Sequence, residues 1–193
     1  MPASLQIRGF TRLRNRLDPV KVNRRMIKAV KKATIKNGLI AEGAIKLGID
    51  SGLGMAPNSS MTTAIKGSSR PLVDAGDLKS SVDNKVTRYD QVVIGVLKNA
   101  TKRDPDTGRV TKIKEVAAIL HQGATVTVTD KMRRFFFAMA KKHPGKWHPL
   151  SAGTKVLVIP ARPFLKFAIE KKQKVKYEKN WNEAVRQVLA GVG

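Results

Sequence analysis

The chain has 193 residues, of which 41% are hydrophobic and only 5% aromatic, so its core must be largely aliphatic. Lys and Arg number 38 against 14 Asp and Glu, a formal net charge of +24, and cysteine is absent. Disulfides, cysteine-based zinc sites and thiol nucleophiles are thereby excluded, and so large a positive charge calls for an anionic counterpart: nucleic acid, a membrane surface or an acidic protein.

No apolar run approaches the roughly 20 residues of a membrane span. The longest, FFFAMA, is bracketed by Arg133, Arg134, Lys141 and Lys142. The first ten residues, MPASLQIRGF, lack the apolar stretch of a secretory signal. No repeat of solenoid length recurs.

The opening SLQIRGFTRLRNRLD reads as a short alternating strand, broken at Gly9, followed by a short basic helix. Asp18-Pro19 then starts a long helix, with a capping side chain followed by proline in the first turn. Met26, Val30, Ala33, Ile40, Ala44 and Leu47 recur at three- and four-residue steps, with Asn37 completing the row, which predicts one buried face. From Asp50 to Ser69 the composition turns to Gly, Ser, Asn and Pro, a loop.

A turn at DAGD leads into a short helix, LKSSV. KVTRYDQVVIGVL predicts a hairpin turning at Tyr89-Asp90, and TKRDPDTGRVT a further loop. EVAAILHQG predicts a short helix ended by Gly123, TVTVT a strand, and DKMRRFFFAMAKK a helix capped by Asp130. HPGKWHPLSAG is a loop and TKVLVI a strand. Pro160 ends that strand and Pro163 stands where a helix begins. Phe164, Phe167, Ala168, Val175, Trp181, Val185 and Val188 would then mark the inner face of the last helix, with lysines opposite. The expected fold is α+β: a small, mostly antiparallel sheet packed with long N-terminal and C-terminal helices. The expected organisation is a single domain over 1–193, with loop insertions near 50–70, 99–112 and 143–153.

Candidate chemistry is sparse. His143 and His148 share a loop with no carboxylate beside them, short of the three or four ligands a metal needs. His121 follows an apolar helical run and reads as a packing or capping residue. Asp74 and Asp77, and Asp104 and Asp106, are turn formers and lack the calcium-loop pattern. No serine stands in a nucleophile elbow, and GLGMAP lacks the flanks of a dinucleotide loop. The expectation is a protein that is not an enzyme, with no metal and no cofactor. What remains is basic: Arg8, Arg12, Arg14 and Arg16, then Arg24 and Arg25 on the first long helix with Lys21, Lys28, Lys31 and Lys32 near them. These are candidate contacts to DNA or to an acidic partner.

The order of motifs is similar to that of the tailed-phage neck and tail-completion proteins, the virion morphogenesis or head–tail connector family. SLQIRGFTRLRNRLD resembles their opening, PLVDAGDLKSSV their glycine turn, and VAAILHQGA their short Ala-rich helix closed by glycine. TVTVTDKMRRFFFA resembles the strand that follows, and VIPARPFLKFAIE their most specific signature. The chain departs from the family pattern at Ala75, Asp77, His121 and Gln122.

The resemblance implies a structural protein of the virion, made in the host cytoplasm. It would form a homo-oligomeric ring, by family analogy a hexamer, as a neck connector or tail terminator. Its partners would be neighbouring connector and tail proteins, and packaged DNA. Pro160, Arg162, Pro163 and Phe164 would form a rigid structural elbow, with Arg162 bonding within the structure or to an acidic neighbour. The alternative that composition supports is a basic nucleic-acid-binding protein with no virion role.

Overall fold

The computed structural model describes residues 18–191, apart from positions 53, 73–75, 104–107 and 109. The opening strand and basic helix expected before Asp18 lie outside the described residues. The architecture is α+β, with a long helix at each end of the described chain and short two-stranded antiparallel sheets between them.

The first helix, α1 (Pro19–Ser51), starts as its sequence dictates: the Asp18 Oδ1 accepts from the Val20 N–H at 2.9 Å. The expected loop at 50–70 instead holds a helix, α2 (Ser60–Lys66), capped by the Ser59 hydroxyl, which accepts from the Thr62 N–H. A five-residue helix, α3 (Asp77–Ser81), leads into β1 (Val82–Arg88), which pairs with β2 (Gln91–Val96) through Tyr89 and Asp90. The expected loop at 99–112 is a hairpin. There β3 (Thr101–Arg103) pairs antiparallel with β4 (Val110–Lys112), Lys102 opposite Thr111. Helix α4 (Ile113–Gln122) follows directly and ends at Gly123.

The third sheet joins β5 (Ala124–Thr127) to β6 (Val156–Ile159), Thr125 opposite Val158 and Thr127 opposite Val156. Between these strands runs α5 (Asp130–Lys142). Its cap is Thr129, not Asp130: the Thr129 hydroxyl accepts from the Met132 N–H, leaving Asp130 in the first turn, where its charge suits the helix dipole. The 143–153 loop is tied down by Arg133, whose guanidinium donates to the carbonyls of Ser151, Ala152 and Thr154. After β6 the chain does not enter one continuous helix. A 3₁₀ segment, Phe164–Ile169, precedes α6 (Lys171–Ala190).

The chain gathers into two units. One holds the described residues up to Ile40, Asn84–Val93 and those from Glu170 on; the other holds Ala41–Asp83 and Ile94–Ile169. In the first, the polar residues Thr34, Asn37, Gln173 and Asn180 are buried with Ala33, Ala184 and Val188. Buried polar groups ordinarily find partners, and three of these four do, while Gln173 Oε1 is buried with none among the described residues. Asn180 Nδ2 donates to Asn37 Oδ1 at 2.7 Å, and Asn37 Nδ2 donates to the Tyr177 carbonyl at 3.2 Å. Trp181 Nε1 donates to the Thr34 hydroxyl at 3.4 Å. These pairings run α1 and α6 antiparallel, one helix advancing as the other retreats. The second unit has an aliphatic and phenylalanine core that includes Ile45, Ile49, Val82 and Phe164, each at most 1% exposed. Among the described residues no helix is long and apolar enough to cross a membrane.

Candidate functional site

Two places carry the residues singled out by the sequence. The first is the elbow in the second unit. Pro160 ends β6 by withdrawing a ladder donor. Gly123 lets the neighbouring chain come close: its φ is +77°, and a Cβ there would stand 2.9 Å from the Ala161 nitrogen and the Ile159 oxygen. The Arg162 N–H then donates to the Leu120 carbonyl at 2.8 Å. Its side chain turns inward and is 8% exposed. Nε donates to the Ala56 carbonyl and Nη2 to the Pro57 carbonyl, each at 3.1 Å. Burial lowers the pKa of the guanidinium from its ordinary value. Phe164 is 1% exposed and meets the edge of His121, ring centroids 5.3 Å apart. Arg162 thus ties the carbonyls of Ala56 and Pro57 to the end of β6. Beside it lies a hollow of about 330 Å³ lined by Ile45, Ile94, His121, Pro163 and Ile169, which offers few polar groups to orient a ligand.

The second place is basic and lies in the first unit. Arg25, Lys28, Lys32 and Lys36 form one wall of a groove of about 580 Å³ between α1 and α6. Its floor is Ala29, Ala33, Ala184 and Val188, and Glu183 and Gln187 stand on the α6 side. Arg24, on the same helix, is exposed and outside the groove. Arg8, Arg12, Arg14 and Arg16 lie outside the described residues. Arg25 was therefore legible as a candidate contact, whereas Lys36 was not. Its signal was present, since Lys28, Lys32 and Lys36 recur at four-residue steps and so share a face.

Among the described residues no group of three or more His, Cys, Asp or Glu could hold a metal ion. Compared with family models, with curated proteins and with solved structures, the chain finds no match.

Proposed function

We propose that the chain is a structural, non-enzymatic protein of the junction between head and tail of a tailed phage, assembled as a ring of copies in the virion. The ordered motifs PLVDAGDLKSSV, VAAILHQGA and VIPARPFLKFAIE support this reading through their resemblance to neck and tail-completion proteins. The observation that carries it is the β5–β6 ribbon. Thr125 and Thr127 are exposed opposite Val158 and Val156, which are 69% and 48% exposed, so four β-branched side chains cover one open face. A two-stranded ribbon with an open face of two valines and two threonines and with two edges is marginal alone and gains most from a neighbouring strand. A second copy in a ring, six by family analogy, supplies that neighbour.

The test is electron microscopy of lysates from a phage with this gene deleted. Unjoined heads and tails support a neck connector, and tails of uncontrolled length support a terminator. Intact, joined particles overturn the reading. The rival, a nucleic-acid-binding protein without a virion role, rests on the net charge of +24. It requires the isolated chain to bind DNA or RNA tightly with a steep salt dependence.

A further inference from the structure

We propose that the groove between α1 and α6 is a docking site for an acidic amphipathic helix of a different protein. The inference stands apart from the ring reading and concerns the first unit alone.

The groove is built before any partner arrives. The buried Asn37–Asn180 bond and the Trp181–Thr34 bond fix the two helices against each other. The small floor residues Ala29, Ala33 and Ala184 let a third backbone approach, as helix-in-groove docking requires. The wall is a row of cations. Lys28, Lys32 and Lys36 repeat at four-residue steps, about 6 Å apart along the axis, and Arg25 extends the row to about 16 Å. None of the four makes an ion pair or hydrogen bond with another described residue. Like charges at four-residue steps weaken the free helix, so the row is stabilised only when something anionic arrives. A helix with carboxylates at the same four-residue step matches that spacing residue for residue.

Two other occupants fit less well. A nucleic acid presents charge all along its backbone, yet the opposite wall carries Glu183, and no aromatic side chain lines the groove for bases to stack upon. An amphipathic helix with acids on one flank and an apolar inner face meets that asymmetry. A second copy of this chain is excluded by charge pattern. The described residues of this unit carry fifteen Lys and Arg against five Asp and Glu, and no segment of the whole chain places three acids at three- or four-residue steps.

The test uses the purified full chain and a labelled synthetic peptide of about 20 residues, long enough to hold a helix. The peptide bears leucines on one face and glutamates at four-residue steps on one flank. A control has the same composition with the glutamates scattered. The patterned peptide is expected to bind saturably and at least about tenfold more tightly than the control. Lys28→Glu with Lys32→Glu is expected to weaken it by about tenfold or more, and Lys32→Gln by less. Helical circular dichroism of each variant checks that it folds, and the mild K32Q keeps the test open should the double reversal not fold. Equal binding of both peptides overturns the proposal, leaving only diffuse charge. So does tighter binding of duplex DNA that the same substitutions abolish, which assigns the groove to a phosphate backbone.

Discussion

Gly48 of α1 lies directly against the ring of Phe167: a Cβ at position 48 would stand 2.0 Å from Cδ2 and 2.4 Å from Cε2. A glycine inside a helix ordinarily costs about 1 kcal/mol relative to alanine, so on propensity alone Gly48→Ala should stabilise. Here the ring is buried and has little room to retreat. The expected net effect is a loss of roughly 1–3 kcal/mol, the usual cost of overpacking. In the double variant Gly48→Ala, Phe167→Ala the added methyl should do no further harm, because its obstacle is gone. Urea unfolding of the four proteins measures this. A higher midpoint for Gly48→Ala would refute the contact.

Arg162 holds two backbone carbonyls with a buried charge. Arg162→Met removes both bonds and leaves the Ala56 and Pro57 oxygens to find water, an expected loss of about 2–4 kcal/mol. Arg162→Lys keeps the charge but not the fork that reaches both oxygens, so it should recover only part. Hydrogen exchange at Met55 and Asn58 reads the consequence, rising in both variants as the segment loosens. Unchanged exchange with lowered global stability would mean that Arg162 does not hold this segment.

How far the sequence showed this depends on which residues one follows. Asp18 capping α1 was legible because a cap is a local event. The row from Met26 to Ala44 was legible in part. It failed at Leu47, which is 69% exposed, because the buried face drifts to Ile45, Gly48 and Ile49. A glycine scores nothing in a hydrophobic pattern, yet Gly48 marks the closest approach. The last helix misled for a related reason. Its phase was counted from Phe164, but the 3₁₀ segment resets it at Lys171. Val175 and Trp181 are accordingly 56% and 40% exposed, while Gln173 and Asn180 are buried. Polar residues inside are invisible to hydrophobic periodicity, and only their partners reveal them. The bonds from Arg162 to the carbonyls of residues 56 and 57, more than a hundred positions away, had no signal in the sequence. Of the groove's cations, Arg25, Lys28 and Lys32 were singled out one by one and Lys36 was not. That they share a wall facing α6 is a tertiary fact.

The Asn37–Asn180 pair makes a sharper prediction than either residue alone. Asn37→Ala leaves Asn180 Nδ2 without its acceptor and removes the Asn37 bond to the Tyr177 carbonyl, and should cost about 1–3 kcal/mol. Asn180→Ala should cost a similar amount. Replacing both by Ala removes the polar need together with its partner, so the double variant should lose clearly less than the sum of the single losses. Chemical denaturation of the set is the measurement. Strict additivity would show that the two amides do not interact.

Tyr177 supplies a pH dependence whose sign is fixed. Burial raises its phenol above the ordinary tyrosine value, because the charged phenolate is poorly solvated there. The folded chain therefore keeps the proton at a pH where the unfolded chain has already released it. Stability from this source is complete below the ordinary value of about 10 and is lost as pH rises from there through the folded-state pKa. Tyr89 and Tyr177 are the only tyrosines in the sequence, so a Tyr89→Phe variant isolates the second in a spectrophotometric titration. That titration should centre above the value of free tyrosine and fall back to it in denaturant. Tyr177→Phe should flatten the alkaline decline in unfolding midpoint that the unchanged chain shows. A phenol that ionises at or below the free value while the chain is folded would mean that the α1–α6 packing leaves this ring open to water.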